Sequence, residues 1–419
     1  MGRITGFLRR GAAFAVVVAL AGATAASGAT PTHSWAETTS PHVSGNASEI
    51  YAMVATGTND VWAFGYDRAN IAGTFEWRVL GERWNGSTWT RLNTLDRETA
   101  PAHDFIYGAT ASGPSDVWIV GHSDTAVANQ TSRNLVEHWN GAVWSIDNSV
   151  PDPGLRRGLL AASADSAADV WAVGYVTTGD GPDYNAQVLH RANGTWAQVP
   201  FTLTVPGCNQ HARGELDAVD AISATDVYVS GWCQSQPIGR ERGFVAHWNG
   251  ASWSLALRAD GASELTELAT APNGDIWVAG STHFRGDNDA VYPLVFHGNA
   301  TDGFTAVPVR HSPHFGGTVD SLTVTNVGVV IAGQLTDPRT NPSQTYALRL
   351  RASDNTWVQE PIHPTAGGYA RIHAAAAEAG GQLWVGGTTV GGPSLDVQAF
   401  MAKRVQTNVC KAASSRPLC

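Results

Sequence analysis

The stretch Asp60-Val61-Trp62-Ala63-Phe64-Gly65 returns six more times along the 419-residue chain and sets the register for what lies between its copies. They begin at Asp116 (DVWIVG), Asp169 (DVWAVG), Asp226 (DVYVSG), Asp275 (DIWVAG), Gly328 (GVVIAG) and Gln382 (QLWVGG), at steps of 56, 53, 57, 49, 53 and 54 residues. A period in this range fits repeats of four short strands that stack as the blades of a β-propeller. Each copy reads as a strand with apolar side chains on both faces, as blades packed on blades require. Asp after a Gly/Ser/Asn/Thr cluster (GTND, GPSD, NGD) suits a tight turn, where its carboxylate can accept backbone N–H bonds. The closing glycines, Gly65, Gly121, Gly174, Gly231, Gly280, Gly333 and Gly387, hold one register, which implies a close backbone approach that a Cβ would forbid. Residues present in every copy are scaffold, so none of these is a site candidate.

Ahead of each copy lies a first strand, over 50–56, 105–111, 159–163, 216–222, 265–270, 319–324 and 372–377. Behind it come a third strand, a turn and a fourth strand opened by an aromatic. The turn is the second signature: WNGSTW at 84–89, WNGAVW at 139–144, ANGTW at 192–196 and WNGASW at 248–253. Asn-Gly between apolar runs predicts a hairpin in which both central residues take positive φ. Fourth-strand aromatics are Trp89, Trp144, Trp196, Trp253, Phe304 and Trp357, six against seven first strands. Trp35 lies 54 residues before Trp89, in register with the series. The expected fold is therefore all-β, a seven-bladed propeller over residues 30–405 whose last blade is completed by the N-terminal strand, next to 397–405. Such closure removes an open sheet edge.

Residues 1–29 read as an export signal. Arg3, Arg9 and Arg10 precede a short apolar run at 12–21, and small residues at 23–25 and 27–29 frame a cleavage site. The run is too short to span a bilayer. The pattern around Arg9-Arg10 fits general export better than the twin-arginine route. The leader holds three Arg and no acid, so the mature chain keeps 23 basic against 36 acidic residues, a net of about −13. Nucleic acid and anionic membrane are disfavoured as partners by that balance. Four Cys suit an exported, extracellular protein. Cys208 and Cys233 belong to segments that reach the same face of the fourth blade and are expected to bridge, and Cys410 with Cys419 would pin a tail at 406–419. Their spacings match no zinc pattern, no metal site or cofactor is expected, and a monomer is.

A register test also sorts the 14 His. His138, His190, His247 and His297 share one third-strand position with Arg83 and Arg351, which marks a scaffold role. His103, His122, His211, His283, His311, His314, His363 and His373 fall outside any repeat position. Connections from strand two to three and between blades read as long and irregular, so they define the functional face at the channel mouth. Where each first strand begins, equivalent places carry Tyr51, Tyr107, Leu160, Asp217, Thr266, Asp320 and His373, with Glu49, Glu215, Glu264 and Arg371 two before. Seven equivalent places with unlike occupants are what an asymmetric site needs, although rim residues of this kind also satisfy loop backbone and water. The candidate ligand-binding residues are thus Tyr51, His103, Arg157, Glu215, Asp217, His283 and Asp320. Alternation puts Arg371 and His373 on one side of their strand.

With DVWAVG followed by hWNGxxW in hand, the chain resembles secreted bacterial propellers related to kelch and galactose-oxidase-type repeats, over about residues 33–405. That resemblance implies blades and no particular chemistry, and no copper-site constellation is identifiable. Two function classes remain open. One is a binding module for an extracellular glycan or protein, favoured because no nucleophile motif is present. The other is a polysaccharide lyase or glycoside hydrolase on the same face. A lyase needs a base and a cation for a uronate carboxylate, chemistry that His373 or Tyr107 and Arg371 or Arg157 possess.

Overall fold

Seven four-stranded antiparallel sheets take up the twenty-eight strands among the described residues of the computed structural model. The structure describes residues 32–407 except 42–46, 72, 97–101, 126–130, 153–155, 178–183, 209–213, 235–240, 283–290, 310–316, 326–327, 338–339, 366–368 and 392–395. The expected leader, His283 and the Cys410–Cys419 pair lie outside the described residues. His33–Val405 form one compact unit.

Blade 1 runs outward from the axis through Ser48–Gly57, Asp60–Ile71, Thr74–Trp84 and Trp89–Arg91. The inner strands of blades 2 to 7 are Ala102–Gly113, Arg156–Ser166, Gly214–Ser223, Ser263–Thr270, Ser321–Thr325 and Tyr369–Ala377. Each touches the next, and the last touches the first, so the ring is closed. Blade 7 is completed from the other end of the chain: Thr32–Thr38 pairs with Asp396–Thr407 as its outermost strand. Trp35, 7% exposed, packs with Phe400 and Ile372 of that blade and Val330 of blade 6. Thr38 Oγ1 donates to Met401 O (3.1 Å) and accepts Trp89 Nε1–H (2.9 Å), fastening the closing strand to blade 1 as well.

The core lies between blades because both faces of every sheet are apolar. Trp62, Trp118, Trp171 and Trp384, one from each second strand of blades 1, 2, 3 and 7, are fully buried. The repeat Asp does something other than cap its turn with backbone bonds. It pairs with the third-strand His or Arg: His138 Nε2 to Asp116 (2.7 Å), His247 Nε2 to Asp226 (2.7 Å), His190 to Asp169 (3.2 Å), and Arg83 to both oxygens of Asp60 (2.6 and 2.9 Å). Each of these cations or imidazoles also lies over the motif aromatic, as His138 does flat on Trp118 at 3.9 Å, His247 tilted by 30° over Tyr228 at 4.5 Å, and Arg83 on Trp62 at 4.2 Å. The four third-strand histidines are scaffold, held by an aromatic face and a carboxylate.

Two expectations about connections are corrected. Only the ANG turn has both central residues at positive φ, Asn193 at 51° and Gly194 at 84°. At Asn85, Asn140 and Asn249 the side-chain amide oxygen instead accepts the N–H groups two and three residues on, and only the glycine after it crosses to positive φ. The longer spacing to the next Trp requires this wider loop. The connections from strand two to three are also not uniformly long: in blades 1 and 6 the pairing of the two strands runs on as far as Ile71↔Thr74 and Asp337↔Thr340.

The seven motif glycines share one cause. A Cβ on Gly65 would lie 2.0 Å from Glu49 O, one on Gly121 1.8 Å from Phe105 O, and the same contact recurs at Gly174, Gly231, Gly280, Gly333 and Gly387. The inner strand presses its backbone onto the glycine, and one residue further on it bulges. Ile50 pairs with Gly65 and Ala52 with Phe64, which leaves Tyr51 without an opposite number; Tyr107, Leu160, Asp217 and His373 are left over in the same way.

Candidate functional site

These surplus residues are the ones that line the central channel. A β-bulge adds one residue to one strand and re-aims its side chain. Repeated around the ring, it turns Tyr51, Tyr107, Leu160, Asp217, Thr266 and His373 onto a cavity of about 250 Å³. Glu267, one residue beyond Thr266, joins them.

The cavity has two unlike walls. Blades 7, 1 and 2 supply rings: His373 stacks on Tyr51 (4.5 Å, 8° between planes), Tyr51 meets Tyr107 edge-on at 5.4 Å, and Tyr107 lies over His122 at 5.5 Å. Tyr66, across the strand pair from Glu49, donates to Tyr51 Oη (3.1 Å), and Tyr51 donates to Glu49 Oε2 (3.0 Å). Burial pushes the Tyr51, Tyr66 and Tyr107 phenols up, so they remain protonated donors. Burial, then the Arg371 charge, lowers His373 to about 4, which keeps its imidazole neutral at pH 7. Its Nε2 is buried and has no hydrogen-bond partner among the described residues.

Blades 4 and 5 supply carboxyls, Asp217 and Glu267, while Glu215 and Asp320 act on them without lining the cavity themselves. Asp217 is held well above the usual carboxylate range by burial first and then by Glu215, Glu264 and Glu267. Its Oδ2 has no partner among the described residues. Glu267 is raised by burial and by Asp320, and it accepts the Leu322 N–H, a bond that also stitches blade 5 to blade 6. Asp320 accepts the Thr318 hydroxyl (3.0 Å) and is pushed up to about 6 by burial, with Thr318 and Arg371 pulling it back. Glu215 accepts Trp232 Nε1–H (3.0 Å). Crowded in a low dielectric, these acids resist ionising together.

The remaining candidates stand elsewhere. Arg371 is exposed, its guanidinium 5.8 Å from the Tyr369 ring, and it does not line the cavity. The bulge at His373 interrupts simple alternation between the two, although the Arg371 charge still acts on both His373 and Asp320. Arg157 is 5% exposed and paired with Asp152 in the seam between blades 2 and 3. His103 Nδ1 accepts the Trp77 N–H of blade 1 (3.2 Å). Sequence reasoning missed Tyr66, Tyr175, Trp232 and Glu267. The first three follow the motif glycine directly, a place whose occupants vary from blade to blade, so the register test that found Tyr51 and His373 would have found them too.

Among the described residues no group of three or more His, Cys, Asp or Glu is arranged to hold a metal ion, and no helix is long and apolar enough to cross a membrane. Cys208 and Cys233 form a disulfide with Cα atoms 6.0 Å apart.

No protein-family model matches the chain, and no curated protein matches it. Solved structures similar to it include YCF48 bound to a D1 peptide, with 14% identity over 90% of this chain and 97% of that one at a TM-score of 0.49. A protein of unknown function from Dyadobacter fermentans shares 13% identity over 72% and 94% at 0.48. An ulvan lyase, a polysaccharide lyase solved with bound saccharide, shares 10% over 83% and 90% at 0.49. The chain is a seven-bladed β-propeller by its own topology; no family is assigned to it.

Proposed function

We propose that this propeller is exported, works as a monomer, and binds one extracellular ligand, a glycan or a protein segment, across the channel mouth. The observation that carries the reading is the ring of bulges. Six of the seven equivalent positions line the cavity with a varied set of side chains, and two of those residues, His373 and Asp217, each keep a buried polar atom without a hydrogen-bond partner among the described residues. A buried polar atom without a partner costs about 1–3 kcal/mol, so a ligand that supplies the missing bonds recovers that penalty on binding. Rings on one wall and carboxyls on the other favour a polyhydroxylated ligand over a polyanion, since hydroxyls can donate to the acids while the ligand's C–H groups meet the aromatic wall. The disulfide supports an oxidising compartment.

A second reading is favoured by one feature. A neutral His373 with a free Nε2, beside the Tyr51 hydroxyl, is chemically able to take a proton, as a polysaccharide-active enzyme requires. Arg371, at the rim, would then face the substrate carboxylate; Arg157, tied to Asp152, would not.

Both readings are tested by incubating the protein with a panel of polysaccharides, glycosides and peptides, measuring retention on the polymer and release of product. His373→Ala is expected to lose retention or turnover at least tenfold, and Arg371→Ala turnover of a substrate that carries a carboxylate, each with melting temperature within a few degrees of the parent. Unaltered function in both variants would overturn the site.

A further inference from the structure

The seam between blades 3 and 4 is built differently from two others of its kind. Between blades 7 and 1, buried Ser48 near the start of the inner strand accepts the N–H of Ala399 (2.9 Å). Between blades 4 and 5, buried Ser263 accepts the N–H of Gly243 (3.2 Å) in the same way. Ala399 pairs with Thr388 and Gly243 with Trp232; the residue in that place in blade 3 is Ala186, paired with Tyr175. The inner-strand residue facing it is Gly214, which has no hydroxyl to offer. A side chain there is opposed as well, since a Cβ would stand 2.9 Å from Trp232 O.

What Gly214 leaves open is a cavity of about 140 Å³. Phe201 and Leu203 of the connection between the blades form one side, and Trp232 and Phe244 of blade 4 another. The disulfide Cys208–Cys233 belongs to its wall and ties that connection to the second strand of blade 4. Trp232 is fixed by its bond to Glu215, so its ring is a set surface. No residue of this cavity lines the central channel.

We propose that this seam is a second binding pocket, for one uncharged aromatic ring such as a phenyl or phenol group. Three features select that class. Among the described residues no Asp, Glu, Lys, Arg or His lines the cavity, so an ion entering it would lose its hydration with no charged partner among them. The walls are aromatic, and rings gain about 0.5–1.5 kcal/mol from stacked or edge-on partners beyond the area they bury. The volume, about 140 Å³, is enough for one six-membered ring. Asn185 provides a side-chain amide for a hydroxyl on such a ring. Cys208 and Cys233 both belong to the lining, so the pocket depends on that bond staying closed.

The probe is benzyl alcohol, titrated against the full-length exported protein by calorimetry, with benzoate as its charged counterpart and methyl glucoside as an uncharged non-aromatic ring of similar span. Saturable binding of benzyl alcohol alone is expected. Ala186→Leu, which fills the cavity, is expected to weaken it at least tenfold, and a melting curve on that variant establishes that it is folded. Reduction of the parent protein with dithiothreitol is expected to weaken binding several-fold, which reads the same pocket without a substitution. Absence of saturable binding, equal binding of benzoate or methyl glucoside, or unaltered binding after both the substitution and the reduction would overturn the proposal.

Discussion

His138 and His373 carry the same ring into opposite situations. His138 is bonded to Asp116 and stacked on Trp118, and three other blades repeat the arrangement; His373 is stacked on Tyr51 with its Nε2 unpaired. Their roles were separable in the sequence because one position recurs and the other does not, whereas the aspartate partner of His138, some 22 residues away, was not visible without the strand pairing that joins them. The lowered His373 value makes a prediction. An unfolded chain takes up that proton below about 6.5 and the folded one only below about 4, so folding stability falls as pH drops through that window. His373→Gln should flatten the acid side of a plot of melting temperature against pH. Two buried acids act in the other direction. Glu82 and Glu137, each 0% exposed, are raised by burial to about 7 and about 8. Above pH 4.5 the unfolded chain releases these protons while the folded chain retains them, so stability is lost as pH rises from there to about 8. Glu137→Gln, which keeps an acceptor for the Leu95 N–H, is expected to stabilise by about 2 kcal/mol at pH 8.5 and by little at pH 4.5, checked by chemical denaturation at both.

At the scale of the strand, the decisive element is the bulge that follows each glycine contact. Gly174→Ala places a methyl 2.0 Å from Gly158 O and must push two paired strands apart, at an expected cost of about 3 kcal/mol in urea denaturation. An unchanged midpoint would mean that the contact is slack. The closing strand gives a second test: Trp35→Ala should cost about 3–5 kcal/mol, as for other large buried aromatics, and removal of residues 30–40 should cost more, because it also exposes the edge of Asp396–Thr407. The order of strands, their closure and the glycine register were legible, since each rests on a period that a linear text preserves. The bulge itself was not, because an extra residue leaves no gap in a sequence, yet its occupant was singled out by varying around the ring among Tyr, Leu, Asp, Thr and His. The Asn-Gly turns were misread for a local reason: the Asn amide oxygen at Asn85, Asn140 and Asn249 captures two backbone donors and widens the loop.

Across the whole molecule, cohesion comes from seams between neighbouring blades, and a covalent link reinforces the one at Gly214. Reducing Cys208–Cys233 is expected to lower stability by about 3 kcal/mol, read as a shift in melting temperature with and without reductant. Sequence reasoning found that bridge because both cysteines border the same blade, but it had no means of finding the cavity beside it, which arises from an absent hydroxyl at Gly214 opposite Ala186. The closing strand has a consequence of another sort, in time. Thr38 and Met401, bonded in the finished ring, are separated by 363 residues. The ribosome makes the outermost strand of blade 7 first and its partner last. Throughout synthesis Thr32–Thr38 waits unmated, and a chain halted anywhere before Asp396 keeps two raw sheet edges, available to other chains. Loop-closure entropy rises only logarithmically with length, so the long wait adds little to the thermodynamic cost; its burden falls on the time of synthesis, before the partner strand has been made.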